Sequence, residues 1–322
     1  MISTLSYGIL TLSLLLSILC ASNFSAAEER KEGEIPYTIS LHVDQVMLDV
    51  SVLESGGRFV SGLEATDFKV FEDERLQEIV YFASKDVPVT IGLVIDNSGS
   101  MRSKRPEIIT AAMSFINASN PNDEIFVIHF NERVRFGLQD PASFASDPLL
   151  LRSALYRMTA DGKTALYDAI SQAVQHLTTG KCDRKALVVV SDGGDNASRR
   201  DLPEVLRLIQ STHAAVYTLT VYDPNNKDQN PKVLRRLAKI SGGESFFPKE
   251  LKQVGPICQT IATDIRNQYL LAYRPTNSKR DGSFRHLRVA VESPKKKKLA
   301  VRTREGYVAP LDLESEACQA SP

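Results

Sequence analysis

The chain has 322 residues, and 39 Lys and Arg balance 39 Asp and Glu to a formal net charge of zero. Nothing in that balance points to nucleic acid, which is not expected among its partners. Hydrophobic residues at 43% and charged residues at 24% suit a globular protein with a real core, long enough for two domains.

Residues 1–27 read as a signal for export. Residues 9–19 form an apolar core of signal-peptide length, too short to span a bilayer comfortably, and Ser25, Ala26 and Ala27 supply small residues for cleavage after Ala27. No Lys or Arg precedes that core. Cys20 leaves lipoprotein processing open, although Leu19 stands where a small residue is expected, and an uncleaved anchor is a further alternative. Cleavage would place the mature chain outside the cytoplasm, in the periplasm or secreted, with no transmembrane segment. Cys182, Cys258 and Cys318 then remain, and a Cys182–Cys258 disulfide and three free thiols both fit the sequence.

Residues 35–86 form the amino-terminal β region, in which 37–53 alternate apolar and polar positions, through Ile39, Leu41 and Val43 and then Val46, Leu48, Val50 and Val52. Further short strands are predicted at 67–72 and 77–83, with a turn at 54–58, so this region reads as a small β unit. From 87 to 267 the pattern changes to strands alternating with helices. Strands are predicted at 89–96, 124–130, 186–191, 214–221 and 244–247, and a short antiparallel edge strand at 133–138. Helices are predicted at 108–115, 148–158, 164–177, 202–209, 231–240 and 251–266. That alternation predicts an α/β fold with a doubly wound, mainly parallel Rossmann-like sheet. Residues 268–309 return to β, with strands at 269–273, 284–291 and 298–303. Each β flank is too small to hide a core alone, so the two are expected to join in one β-sandwich beside the α/β part. Residues 310–322 read as a flexible tail.

The apolar run 89–95 ends in Asp96-Asn97-Ser98-Gly99-Ser100, where a strand gives way to a loop and a helix. Ligands of open α/β sheets bind at such strand ends. The side chains there offer only oxygen, which matches a hard divalent ion, Mg2+ or Mn2+ before Zn2+. Alone the motif is weak, because Asp and Ser also gather in turns and helix caps for local reasons. Two later stretches strengthen it. Asp161-Gly162-Lys163-Thr164 puts a hydroxyl just ahead of a helix, and the run 186–191 ends in Asp192-Gly193-Gly194.

With these residues the sequence resembles a von Willebrand factor type A (vWA) domain with a complete metal-ion-dependent adhesion site, whose pattern is D-x-S-x-S, a separate Thr and a separate Asp before Gly. Asp96, Ser98, Ser100, Thr164 and Asp192 stand at those positions. The stretch 62–73 is also similar to the amino-terminal flank of bacterial VWFA-related proteins. The resemblance implies one Mg2+ held by the five residues, Ser98, Ser100 and Thr164 through hydroxyl oxygens and the two aspartates directly or through water, with an open position for an acidic side chain of a protein or matrix partner. Asn97, Gly99, Asp161, Gly193 and Asp195 are candidates for the outer shell or rim, Asn97 and Gly99 through loop geometry. Asp195 and Asn196 could equally be turn residues capping the helix near Leu202, and Asp168 a surface or capping residue. His129 reads as a core histidine satisfied by hydrogen bonds.

The expected function is therefore binding, not catalysis. A metal-assisted hydrolase is the alternative from another class, with Asp195 the one nearby candidate base. No P-loop, HExxH or Ser/His/Asp constellation stands out. A purely structural ion in an envelope assembly is the third reading.

Overall fold

The computed structural model describes residues 45–84, 86–140, 143–157, 160–221, 228–292 and 299–311. The expectations for residues 1–27, for the alternating positions 39–43 and for the tail beyond residue 311 lie outside them.

The chain begins with β1 (Val46–Glu54), β2 (Phe68–Glu72), β3 (Arg75–Gln77) and β4 (Ile79–Ala83). It continues with β5 (Val89–Asp96), α1 (Arg105–Ala118), β6 (Glu124–Phe130), β7 (Val134–Phe136), α2 (Pro148–Tyr156), α3 (Leu166–Leu177) and β8 (Arg184–Ser191). Next come α4 (Leu202–Gln210), β9 (Ala215–Thr220), α5 (Pro231–Ser241), β10 (Ser245–Phe246) and α6 (Val254–Asn267). The last strands are β11 (Tyr269–Tyr273), β12 (Phe284–Val291), β13 (Leu299–Arg302) and β14 (Gly306–Val308).

The central sheet runs β10-β9-β8-β5-β6-β7, parallel except for β7 at one edge. Every residue of β5 is buried, which explains its unbroken apolar, β-branched sequence: both faces are covered. Gly92 is the exception in side-chain size. A Cβ there would stand 2.5 Å from Phe126 and 2.6 Å from Leu187, so the neighbouring strands close over the missing side chain. One face packs against α1, α2 and α6 through Phe115, Leu151 and Ile261. The other packs against α3, α4 and α5 through Ile170, Val205 and Leu234. Each such fully buried large side chain contributes about 1.5–3 kcal/mol relative to exposure.

Two antiparallel sheets flank this layer, β13-β1-β11-β4 and β14-β12-β2-β3. The alternating positions Val46, Leu48 and Val50 of β1 meet Phe68 and Val70 of β2 and Leu287 and Val289 of β12 in one shared core. Two details depart from the sequence expectation. The run 77–83 is not one strand: it breaks at Glu78, and β3 and β4 belong to different sheets. The strand β14 was not expected, and Pro310 and Leu311 are tied back rather than loose. Gly282 N–H donates to Pro310 O at 3.3 Å, and Leu311 bridges Asp281.

Candidate functional site

The crossover connections leave β5 in opposite directions. One leads through α1 to β6, while β8 lies on the other side of β5 after α3. This reversal opens a crevice at the carboxyl ends of β5 and β8, the usual ligand position in open α/β sheets. Asp96 ends β5, and Asp192 follows the last residue of β8.

Four of the five predicted residues form a chain of contacts there. Ser98 Oγ lies 3.2 Å from Ser100 Oγ, and Ser100 Oγ donates to Asp192 Oδ2 at 3.0 Å. Asp96 Oδ1 accepts from the Ser98 N–H at 2.8 Å, and its Oδ2 accepts from Ser191 Oγ at 2.7 Å. Ser98 stands at the N-cap position of the 3-10 turn Gly99–Lys104, yet its side chain makes no capping bond. A purely local reason for a serine there is thus absent, and its hydroxyl faces Ser100 instead. Asp96, Ser98 and Asp192 are all buried. Burial pushes the Asp96 carboxyl up to about 6 against the hydrogen bonds from Ser98 and Ser191, and the charge of Asp192 adds to the rise.

Thr164 arrives on a separate loop that docks by its backbone. Gly99 N–H donates to Gly162 O at 3.1 Å, and Asp161 N–H donates to Asn97 O at 2.9 Å. Thr164 is buried, its N–H donates to Asn196 Oδ1 at 2.9 Å, and its carbonyl accepts from the N–H groups of Asn196 and Ala197.

The rim residues have distinct tasks. Asn97 Nδ2 lies 2.7 Å from His129 Nδ1, while His129 Nε2 lies 2.8 Å from Ala154 O. An amide NH2 donates and a carbonyl accepts, so this pair of partners selects the neutral ring with its proton on Nε2. Asp161 Oδ1 accepts from Asn131 Nδ2 at 3.2 Å. Gly193 has φ +83°, and a Cβ there would stand 2.4 Å from Asn230 O. Asp195 does not cap the helix near Leu202; Asp201 and Glu204 form that capping box. Asp195 Oδ2 instead accepts from the Tyr167 N–H at 2.9 Å and from Ser198 Oγ at 2.6 Å, which anchors the loop to the start of α3. Asp168 accepts from the Arg199 and Arg200 N–H groups at 3.0 and 3.1 Å.

Sequence reasoning missed Ser191, Asp228 and Asn230. Asp228 Oδ2 accepts from Asn196 Nδ2 at 3.1 Å, and Asn230 N–H donates to Asp192 O at 3.2 Å. Cys182 and Cys258 are both free thiols.

The donor set fits a hard divalent cation. Two carboxylates and two hydroxyls, all oxygen, meet in a largely buried cluster, and among the described residues Asp96 has no ion-pair partner. A buried carboxylate without a countercharge is costly, and a cation between Asp96 and Asp192 would relieve both burial and repulsion.

Comparison with known proteins agrees with this architecture. The von Willebrand factor type A domain profile matches residues 90–259, just over half of the chain. An uncharacterized protein of Synechocystis sp. strain PCC 6803 is 28% identical over 163 residues, which is 50% of this chain; the chain spans 38% of that relative's length. The structure of a von Willebrand factor type A protein from Catenulispora acidiphila has the same fold: TM-score 0.51 and 14% identity over 84% of this chain and 74% of that one. The conserved hypothetical protein BatB from Bacteroides thetaiotaomicron aligns with TM-score 0.44 and 17% identity over 54% of this chain and 98% of its own.

Proposed function

The chain belongs to the von Willebrand factor type A domain family, and on that premise we propose that it is a binding module that holds one Mg2+ and captures a carboxylate of a protein partner. Asp96, Ser98, Ser100, Thr164 and Asp192 would hold the ion, with Mn2+ an acceptable substitute. The observation that carries this reading is the contact chain Ser98–Ser100–Asp192 beside a buried Asp96 that has no cationic partner among the described residues. Once bound, the ion supplies a hard Lewis-acid position that prefers a further anionic oxygen.

Catalysis by the same residues is the weaker reading. A hydrolase needs a base free to take a proton from water. Asp195, the candidate, has both carboxylate oxygens engaged: Oδ2 with Tyr167 and Ser198, and Oδ1 with the Ser198 N–H at 3.3 Å. Asn97, Gly99, Asp161 and Gly193 shape the loops rather than supply chemistry. The signal-like composition of residues 1–27 supports export, with the partner then in the envelope or outside the cell. Among the described residues no helix is long and apolar enough to cross a membrane.

Calorimetric titration with Mg2+ and Mn2+ tests the reading on wild type beside Asp96→Ala. Saturable binding lost in the variant is expected. Equal binding by the two proteins would remove the site from the account.

A further inference from the structure

A second site lies away from the crevice, where the end of α5 and β10 meet β12, β13 and the turn after β13. Two adjacent glycines create this junction. A Cβ on Gly242, which has φ +81°, would stand 2.5 Å from Arg304 N and 2.6 Å from Thr303 C. A Cβ on Gly243 would stand 2.1 Å from Val216 O. Only a chain without side chains at both positions lets the Thr303–Arg304 backbone and the start of β9 approach the end of α5 so closely.

The junction forms an open groove of about 520 Å3. Leu287, Val289 and Val301, which also belong to or pack on the core of the flanking sheets, give it an apolar part, and Phe247 adds an exposed ring. Its charged lining is mainly cationic. Lys239 pairs with Glu305 at 2.9 Å, Arg288 pairs with Glu74 at 2.7 Å, and Arg302 pairs with Glu244 and Asp264. Arg235 and Arg304 have no carboxylate partner among the described residues. Arg235 instead lies over the Phe247 ring, 4.7 Å from its centroid.

Several donors around this groove are buried and unused. Arg304 is 6% exposed and lies over the Tyr307 ring, 5.3 Å from its centroid; its Nη1 donates to Thr212 O at 3.2 Å, but Nε and Nη2 have no hydrogen-bond partner among the described residues. Arg302 Nε and Thr303 Oγ1 also lack one. Buried polar groups are nearly always satisfied, so several unsatisfied donors bordering one cavity call for an acceptor. Burial pulls the Arg304 guanidinium down to about 10, against the opposing influence of Tyr273, Tyr307 and Asp49. A groove of this size, with an apolar part and a few polar groups at a junction of two structural layers, is large enough for a small organic ligand.

We propose that this groove binds an amphiphilic organic anion, with an apolar body against Leu287, Val289 and Val301 and a carboxylate or phosphate head received by Arg235, Arg304 and Thr303. Both heads offer the acceptor oxygens that these donors lack, and guanidinium groups pair with either. The site shares no residue with the crevice at Asp96, so occupancy of one does not require the other.

Calorimetry of the full chain in EDTA tests this, with decanoate and decyl phosphate as probes and decanol and inorganic phosphate as controls. Saturable binding of at least one amphiphilic anion is expected, and the tighter of the two identifies the head group. Arg235→Glu, at an exposed position, should weaken that binding by about tenfold or more, the loss of one charge-assisted contact. Thr303→Val, which keeps side-chain shape, should weaken it less. The proposal is overturned if neither amphiphile binds wild type, or if affinity is unchanged in both variants. Decanol binding as tightly as decanoate, or inorganic phosphate as tightly as decyl phosphate, also overturns it.

Discussion

Ser191 donates its hydroxyl to Asp96 Oδ2 at 2.7 Å and with the same oxygen accepts the Gly193 N–H at 3.0 Å. One side chain thereby joins the end of β5 to the loop that carries Asp192. Ser191→Ala leaves the Asp96 oxygen and the Gly193 N–H without that partner in a buried place. The expected loss is about 1–3 kcal/mol of stability, read as a lower urea midpoint at unchanged slope. Stability within error of wild type would mean that water replaces the hydroxyl at no cost.

Gly193 combines a left-handed backbone with a close approach to Asn230 O. Gly193→Ala adds a Cβ where none fits, so the loop must shift. Destabilisation of at least about 1 kcal/mol is expected, with weaker Mg2+ binding because Asp192 moves with its neighbour. Full retention of both properties would show that the loop adapts freely.

His129 is 1% exposed and burial pulls its ring down to about 4, with the Arg105 charge acting in the same direction. Its ordinary value is about 6.5. Between those limits the unfolded chain binds more protons than the folded one, so folding stability rises with pH. Stability is therefore fully present above about 6.5 and is lost progressively as pH falls toward 4, by about 3 kcal/mol from this residue. Denaturant titrations across that range check it. His129→Gln should be less stable at neutral pH but should lose this part of the acid dependence.

Arg302 of β13 and Asp264 of α6 form an ion pair in which the carboxylate is buried, and Ser51 Oγ donates to the same carboxylate at 2.8 Å. The pair ties the flanking sheet to the central layer. Arg302→Ala strands Asp264 and should cost about 3–5 kcal/mol. Arg302→Ala with Asp264→Asn should recover part of that loss. A cost below about 1 kcal/mol for the single variant would mean that Ser51 and solvent suffice.

The α/β layering was legible because each buried strand reads as a continuous apolar run and each helix carries an apolar face, as β5 and α3 do. The spacing Asp96, Ser98, Ser100 was legible because it matches the D-x-S-x-S pattern at the point where the apolar run 89–95 ends. What sequence did not carry was register. Parallel pairing of Ile95 with Val190 is what brings Asp96 beside Ser191, and in sequence Ser191 is only the last residue of a strand. Asp228 and Asn230 reach the site from the stretch after β9, at a distance no local pattern encodes. The break at Glu78 was hidden for a related reason. In sequence the residues of β3 and β4 are separated by Glu78 alone and read as one run, and only their partners, β2 and β11, place them in different sheets.

The most direct test of metal-dependent binding is an anomalous difference map from a crystal of the protein grown with Mn2+. One strong peak is expected within coordination distance of the Ser98, Ser100 and Thr164 hydroxyls, reached by Asp96 and Asp192 directly or through water, and absent from crystals of Asp96→Ala. No peak at that position, or a peak there that survives the substitution, would contradict it.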